Sequence, residues 1–177
     1  MRHSTLAVRL ALGAVLALGC SSAPASRPPP ASAPASDASP LLSRPVPDFS
    51  RTALDGRRVD TARLRGRVVV VKFFAKFCEP CKRTLPVLQE LARRRPDVAI
   101  LGISEDERES DAHEVVRSFG LSFPVVHDRE QILAGRYRVQ ELPVTFVIDA
   151  GGRVRWVGGP FQREADAVLA VESSSTN

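Results

Sequence analysis

The sequence predicts an α/β sandwich in which a central mixed β-sheet is flanked by helices. Apolar runs typical of buried strands, such as Val68–Val71 and Val144–Ile148, alternate with segments whose apolar residues follow helical spacing. A hairpin at Gly151–Gly152 near the end of the chain adds antiparallel strands, whereas the earlier strands are separated by helices and are expected to be parallel. The 177 residues and 44% apolar composition are those of one folded domain with short additional segments.

Each predicted element rests on a local pattern. One helix, for example, has apolar residues at i, i+3, i+4 and i+7 from Ala112 to Phe119 and ends at Gly120. The first half of the domain contains two short strands around a turn at Asp55–Arg57, a strand at Arg67–Phe74, a helix from just after Cys78 to Pro96 and a strand at Val98–Ile103. The second half contains the helix ending at Gly120, a strand at Phe123–Val126, a short helix at Glu130–Tyr137, a strand at Val144–Ile148, a strand at Arg153–Val157 and a closing helix around Ala165–Leu169.

The first 19 residues have the layout of a signal peptide, with a basic start at Arg2 and Arg9 and an uncharged run before Cys20. This run is too short to cross a bilayer, which needs about 20 helical residues. Residues 16–20 resemble the lipobox of bacterial lipoproteins, in which the cysteine becomes the first residue and carries acyl chains. We therefore predict lipidation at Cys20. The alternative is an ordinary signal peptide with an incidental cysteine.

Residues 20–47 follow as the lipidated cysteine and a disordered tether. Ser21–Pro47 contains 8 Pro, 7 Ser and 6 Ala, and with so few aliphatic side chains it cannot offset the entropy of ordering. Proline keeps such a segment extended, with a reach of about 50 to 80 Å. We expect a folded domain over residues 48–172 and a disordered tail over 173–177. The expected location is the bacterial cell envelope, with a lipid anchor, on the periplasmic or extracytoplasmic side.

The basic balance of the chain does not indicate a nucleic-acid partner. The formal net charge is +5, and 22 of the 25 cations are arginines that are scattered along the sequence. An electrostatic grip on nucleic acid favours cations that are clustered in one patch or arm. We therefore expect no binding to nucleic acid.

The strongest motif is Cys78-Glu79-Pro80-Cys81, at the junction between a buried strand and a helix. Two cysteines three residues apart on a first helical turn have Cα atoms about 5 to 6 Å apart, within reach of a disulfide. Unpaired amides and the positive end of the helix dipole stabilise a thiolate on Cys78. Pro80 suits the first turn because it has no N–H to satisfy there. The motif predicts a redox pair with Cys78 as nucleophile and Cys81 as resolving thiol.

Two other interpretations of the cysteine pair stay open at this point. A structural zinc site needs four ligands, and beyond the cysteines the domain offers only His113 and His127, on separate predicted elements. A purely structural disulfide is the other interpretation, although closing so short a loop gains little entropy. We expect no metal and no cofactor.

Three sequence segments together resemble the thioredoxin superfamily: Phe73–Cys81, Pro86, and Leu142–Asp149. Within it, the Pro47–Phe49 segment, the Asp55–Gly56 hairpin, the additional helix near residues 108–119 and the exported context are similar to membrane-tethered oxidoreductases of the TlpA/ResA/CcmG type. The resemblance covers nearly all of residues 45–171. It implies a thioredoxin-like sandwich with an N-terminal hairpin and an inserted helix.

The resemblance also implies roles for residues around the pair. Pro143 is expected to follow a cis peptide bond and to pack opposite Cys78, so that the Leu142 backbone faces a substrate chain. Pro86 is expected to kink the active-site helix. Phe77 stands where relatives usually have tryptophan, and we expect it to keep an aromatic cover on the site.

Two residues depart from the family pattern. Lys72 lies six residues before Cys78, where relatives often have a buried aspartate or an asparagine. An ammonium group that points inward would favour the thiolate and stabilise the reduced form, whereas one that reaches the sheet edge would not. Thr84 replaces a glutamate that is common in the cytochrome-maturation branch, which weakens the assignment of that substrate.

The resemblance implies a thiol-disulfide oxidoreductase that acts on exported proteins, in the reducing direction. Expected partners are exported or membrane-bound protein thiols and disulfides, with apocytochrome c as one candidate, and a membrane electron donor. We expect a monomer. Two other functions stay open: a copper chaperone that holds Cu(I) between Cys78 and Cys81, and a peroxide reductase, although the Thr/Cys peroxidatic pattern is missing.

Overall fold

The computed structural model describes residues 39–160 and 163–175, all of which lie in one compact unit. The strands are β1 Ser50–Thr52, β2 Arg58–Asp60, β3 Val69–Phe74, β4 Ala99–Ser104, β5 Val125–His127, β6 Val144–Ile148 and β7 Val154–Gly158. The helices are α1 Glu79–Arg94, α2 Glu109–Phe119, α3 Ile132–Arg136 and α4 Glu164–Ser175, and a 3₁₀ helix spans Thr61–Leu64. The order of strands and helices predicted from the sequence is confirmed.

Strands β3 to β7 form one mixed sheet in the order β5-β4-β3-β6-β7, and β1 and β2 form a separate antiparallel hairpin. Strand β3 is parallel to β4, β4 is parallel to β5, and β6 and β7 run antiparallel to their neighbours. We call the end of the sheet at Phe74 and Ser104 the carboxyl end, and the end at Val69 and Ala99 the amino end. Strand β6 starts at the carboxyl end, because Val144 pairs with the penultimate residue of β3.

Both faces of the sheet are covered, as the continuous apolar run of β3 requires. Val69, Val71 and Phe73 pack against the N-terminal hairpin and α3, around the fully buried Tyr137. Val70 and Phe74 point to the other face and pack against α1, α2 and α4. The predicted sandwich is therefore confirmed.

Both edges of the sheet are occupied by the N-terminal part of the domain. Ser43 N donates to Val154 O, and Val46 N donates to Gly152 O, so residues 43–46 lie along β7. At the other edge, Leu54 N donates to Val125 O of β5. An edge strand presents unpaired backbone groups that invite further pairing, and these bonds satisfy part of them.

The predicted domain boundary at residue 48 is wrong, since the folded unit begins earlier. The expected tether included residues 39–47, yet Leu42 bridges to Val154 of β7, Pro45 bridges to the preceding Arg153, and Val46 is buried. Leu41 and Val46 bring apolar surface to the core, which explains why this part of the expected tether packs on the domain. The predicted signal peptide, Cys20 and tether residues 20–38 lie outside the described residues.

The expected disordered tail is also too long. Helix α4 continues to Ser175, and the Ser173 and Ser175 hydroxyls donate to the carbonyls of Ala170 and Val171. Arg95, the C-cap residue of α1, donates to Ser175 Oγ, which ties the end of α4 to the domain. Residues 176–177 lie outside the described residues. Among those described, none of the helices combines the length and the apolar character that crossing a bilayer requires.

Candidate active site

Cys78 and Cys81 form a disulfide at the carboxyl end of the sheet, with Cα atoms 5.2 Å apart. Cys78 is the N-cap of α1, so its backbone is extended while the helix begins at the next residue. Its Sγ accepts a hydrogen bond from Cys81 N at 3.2 Å. The nucleophile predicted from the sequence therefore lies at a helix N-terminus, where amide donors face the sulfur.

The two cysteines differ in access to solvent. Cys78 keeps 6% of its surface exposed and Cys81 none, which matches their predicted roles as attacking and resolving thiols. Glu79 and Pro80 form the first turn of α1, and Glu79 pairs with Lys82 on the exposed side. Helix α1 continues through Pro86, whose ring removes one backbone donor from its second turn.

The predicted proline loop directly precedes β6, which is the neighbour of β3, the strand that leads to Cys78. The Leu142–Pro143 peptide bond is cis, as the resemblance implied. Pro143 is buried, and half-buried Leu142 packs against the cluster that contains Cys78 and Cys81. Strand β6 begins directly after Pro143, so the loop is fixed by the pairing of β6 with β3.

Phe77 does not cover the site as we expected, because 76% of its surface is exposed. A phenyl ring has no N–H, so it lacks the hydrogen bond with which an indole could fix itself to the loop. An exposed apolar ring thus stands next in the chain to Cys78, the predicted nucleophile.

Lys72 is fully buried, so the alternative in which its ammonium reaches the sheet edge is wrong. Lys72 lies two residues from both Val70 and Phe74 along β3 and therefore points to the same face as these residues, the face that carries α1 and the cysteine pair. Its Nζ donates to Thr145 Oγ1 at 2.9 Å, across the β3–β6 pairing. The bond joins the strand that leads into Cys78 to the strand that follows Pro143.

Asp106 braces the loop before Cys78, and sequence analysis missed it. The side chain is 3% exposed; one carboxylate oxygen accepts from Lys76 N at 2.8 Å and the other accepts from Ser104 Oγ at 2.8 Å. The half-buried ring of His127 hydrogen-bonds to the Asp106 carbonyl at 2.7 Å. In the sequence, Asp106 is one acid among five in seven residues, and no local signal separates it from its neighbours.

The side chain of Lys76 fastens the same loop to α2. Its Nζ contacts Glu114 at 2.7 Å and Asp111 at 3.0 Å, and hydrogen bonds to these two carboxylates, Glu114 first, raise the pKa of Lys76. Hydrogen bonds from Arg108 and then Lys76 lower the pKa of Asp111. The inserted helix predicted from the sequence thus holds the active-site loop through its first turns.

Glu105 lies beside the end of β3, where its N–H donates to the Phe74 carbonyl. Its Oε1 atom is buried and has no hydrogen-bond partner among the described residues. Burial, and secondarily the charge of Asp128, raises the pKa of Glu105 to about 7. Glu105 is therefore a titratable group close to neutral pH at the carboxyl end of the sheet.

Thr84 turns its hydroxyl to the Cys81 carbonyl at 2.9 Å, so the position that often carries a carboxylate in relatives carries a satisfied hydroxyl here. His113 and His127, the two histidines considered as zinc ligands, lie near Glu109 rather than near the cysteines. Within residues 39–160 and 163–175, no group of three or more His, Cys, Asp or Glu side chains is arranged to hold a metal ion.

Residues 42–157 match the AhpC/TSA family, which is more than half of the chain. The chain belongs to the AhpC/TSA family. The matched range contains β1 to β6 and most of β7, together with the cysteine pair and the cis-proline loop.

Among characterised relatives, the chain is similar to thiol-disulfide oxidoreductase ResA from two bacteria. It is 32% identical to the Bacillus anthracis protein over 115 residues, which are 64% of this chain and 66% of the relative. It is 35% identical to the Geobacillus thermodenitrificans protein over 112 residues, 62% of this chain and 64% of the relative. The chain thus spans just under two thirds of the length of these relatives.

Solved structures show the same fold. A thiol:disulfide interchange protein of the thioredoxin family from Chlorobium tepidum superposes with a TM-score of 0.64 at 26% identity, covering 73% of this chain and 94% of that one. A secreted Mycobacterium tuberculosis disulfide oxidoreductase homologous to DsbE gives 0.65 at 25% identity, covering 71% and 95%. The thioredoxin-like fold and the resemblance to the TlpA/ResA/CcmG type are confirmed.

Proposed function

We propose that this protein is a thiol-disulfide oxidoreductase that reduces disulfides in exported proteins. The observation that carries the proposal is the disulfide between the N-cap residue and the first turn of α1. Cys78 keeps 6% of its surface exposed next to the exposed ring of Phe77, whereas Cys81 is fully buried. Relatives named for thiol-disulfide exchange share this part of the chain.

The reaction starts from the reduced pair. The Cys78 thiolate attacks one sulfur of a substrate disulfide, a mixed disulfide forms, and the other substrate sulfur leaves as a thiolate that takes up a proton. Cys81, deprotonated, then attacks Cys78 Sγ and releases the second substrate thiolate. The substrate gains two electrons and two protons, and the protein becomes the Cys78–Cys81 disulfide seen in the structure.

Each neighbouring residue has a defined part in this proposal. The Cys81 amide, which donates to Cys78 Sγ, stabilises negative charge on the attacking sulfur. Leu142 and Pro143 offer backbone and apolar surface to the extended substrate chain, and Phe77 contacts its apolar side chains. Lys72 adds positive charge on the inner side of the pair and favours the thiolate.

The location of the reaction follows from the N-terminal sequence. We propose that residues 1–19 direct export, that Cys20 carries the lipid anchor, and that residues preceding the folded unit form the tether. Partners are then exported or membrane-bound disulfides, with apocytochrome c as one candidate, and a membrane donor that returns two electrons to the pair. Thr84 argues against a reduction of apocytochrome c that is assisted by a carboxylate at this position.

A trapping experiment tests the mechanism. In the full chain carrying Cys20→Ser, which removes the third thiol, the further change Cys81→Ser leaves Cys78 able to attack but unable to be released. We expect covalent adducts with envelope proteins that disappear on reduction, seen by non-reducing electrophoresis. The matched variant Cys78→Ser should trap far less, since Cys81 is buried. Equal trapping by the two variants, or none by either, would contradict the proposed mechanism.

The direction of electron flow is set by the reduction potential of the pair. Related C-x-x-C proteins range from about −270 to −120 mV, and a reductant lies at the lower end. Equilibration of the full chain with dithiothreitol buffers should give a value near that of thioredoxin. A value near the upper limit would reverse the proposed direction while leaving the exchange chemistry intact.

A further inference from the structure

The fold gathers arginines that are scattered in the sequence. Six of them come from loops and helix ends at the amino end of the sheet, opposite to the cysteine pair, and we call this set the arginine end. They are Arg44, Arg67, Arg93, Arg94, Arg95 and Arg153. Five of the six are exposed and Arg95 is partly exposed.

Hydrogen bonds show that these loops meet. Arg67 reaches from the loop before β3 to the carbonyls of Pro96 and Asp97, both at 2.9 Å. Gly66 N donates to Ala150 O in the hairpin before β7, and Arg153 Nη1 donates to Ser43 O at 3.4 Å. The arginines of four separate sequence regions thus share one end of the molecule.

Much of the positive charge at this end is not neutralised by its hydrogen bonds. Four acids lie among these arginines: Glu90 is shared by Arg93 and Arg94, Asp97 pairs with Arg95 near Glu172, and Asp149 pairs with Arg155. Arg67 and Arg153 donate to carbonyl oxygens, which satisfy an N–H group without cancelling the cation. The arginine end is therefore positive overall.

The carboxyl end carries both signs of charge. Its exposed acids are Glu79 at the start of α1, Glu107 after β4, Glu130 after β5 and Glu141 before β6. Cations stand beside these acids, namely Lys82, Arg108, Arg129 and Arg138. The excess of exposed positive charge is therefore a feature of the arginine end, and the cysteine pair lies at the opposite end of the sheet.

The chain reaches the domain at the arginine end. Residues 43–46, close to the first described residue, pair with the start of β7, beside Val154 and Gly152. In the proposed function, which this inference extends, the residues before 39 are the tether to the lipid anchor, and residues 39–46 connect the tether to the domain. A tether holds the domain at high local concentration near the bilayer, so even a weak attraction of its nearest surface is effective.

We propose that the arginine end is a docking surface for an anionic lipid bilayer. Arginines contact lipid phosphates, the carboxyl end with its mixed charge offers no comparable attraction, and Cys78 faces away from the membrane toward exported proteins. The orientation follows from charge and attachment at the same end, and it needs no change in the fold.

The test measures binding of the full chain carrying Cys20→Ser, which has no acyl group, to sedimented vesicles. Vesicles of phosphatidylcholine are compared with vesicles that contain about 30% phosphatidylglycerol. The difference in binding between the two kinds of vesicle measures the electrostatic contribution, because apolar residues 10–19 contribute equally to binding to both. The variant is Arg44→Gln/Arg93→Gln/Arg153→Gln, in which Glu90 keeps Arg94 as partner. The matched control, Arg83→Gln/Arg129→Gln/Arg138→Gln, removes the same charge elsewhere.

We expect the parent and the control to bind the anionic vesicles at least about tenfold more tightly than the neutral ones, and the arginine-end variant to lose most of this preference. About 0.5 M salt should remove it from all three proteins. Equal binding of the parent to both vesicles, or an equal loss in the control, would overturn the proposal. Reaction of the reduced pair with a soluble disulfide is measured in the same samples. Its failure with binding intact would count against the proposed function and not against the docking surface.

Discussion

The two ends of the sheet use charge in different ways. At the carboxyl end, charged groups are built into the structure: Asp106 and Lys72 are buried and bonded, and Lys76 bridges two carboxylates of α2. At the amino end, the arginines lie on the surface, where Arg93 and Arg94 share Glu90 and Arg95 pairs with Asp97. Buried charges fix geometry and are costly to change, whereas exposed ones contribute little to stability. Loss of a buried charge at the carboxyl end should therefore cost more stability than loss of an exposed arginine at the amino end.

The largest effect is expected for Asp106→Ala. The change removes the acceptor of both Lys76 N and Ser104 Oγ in a buried place, so we expect the free energy of unfolding to fall by about 2 to 3 kcal/mol. Denaturant unfolding measures this. The neighbouring exposed acid gives the control, and Glu107→Ala should cost less than about 0.5 kcal/mol. Equal losses in the two variants would mean that Asp106 does not brace the loop.

Lys72→Met should come next. Methionine fills a similar volume without the charge, and removal of an inward-pointing ammonium should raise the thiol pKa of Cys78 by about one unit. Ultraviolet absorbance of the thiolate, followed during a pH titration of the reduced protein, measures the change. Arg83→Met, an exposed cation on α1, should leave the thiol pKa nearly unchanged. An unchanged or lower value in Lys72→Met would show that the buried lysine serves packing alone.

Glu105→Gln tests a pH effect at the same end. Because the pKa of Glu105 is raised in the folded protein to about 7, the folded state holds a proton that the unfolded state releases at lower pH. Stability contributed by this group is therefore complete at acidic pH and is lost as pH rises through about 7. With its partial exposure, the loss should be about 1 kcal/mol between about pH 5 and pH 8. Urea unfolding of both proteins at the two pH values should show a smaller decline in the glutamine variant.

The smallest effect is expected at the amino end. Arg94→Ala removes an exposed ion pair with Glu90, which keeps Arg93 as partner, so the free energy of unfolding should change by less than about 0.5 kcal/mol. Thermal unfolding at low and high salt measures it. A loss comparable to that of Asp106→Ala would remove the contrast between the two ends.

The order of elements could be predicted because the signals are local. The valine run of β3, the apolar spacing of α2 and its end at Gly120, which adopts the left-handed conformation, each follow from neighbouring residues. The packing of residues 41–46 on the domain could not, since their partners lie in and beside β7, more than a hundred residues away. Pairing over such a distance leaves no mark in the local pattern.

The candidate site divides in the same way. The cysteine pair, the cis bond before Pro143 and the helix N-terminus could be predicted from a motif and a resemblance. The brace from Asp106 could not be separated from its acidic neighbours, because burial depends on how β4 ends beside β3. The direction of Lys72 was equally open, since a long side chain on a strand can turn inward or reach the edge. Only the packing of both faces decides it.

The pairing of residues 43–46 with β7 has a mechanical consequence. A pull on the segment before residue 39 loads the bonds from Ser43 and Val46 to Val154 and Gly152 first, at the edge of the sheet. Force enters the domain at the amino end of the sheet, opposite to Cys78, and passes into β7, which is separated from β3 by β6. Residues 43–46 can thus separate from the edge of the sheet and lengthen the tether, while β3, the strand that leads to Cys78, stays unstrained.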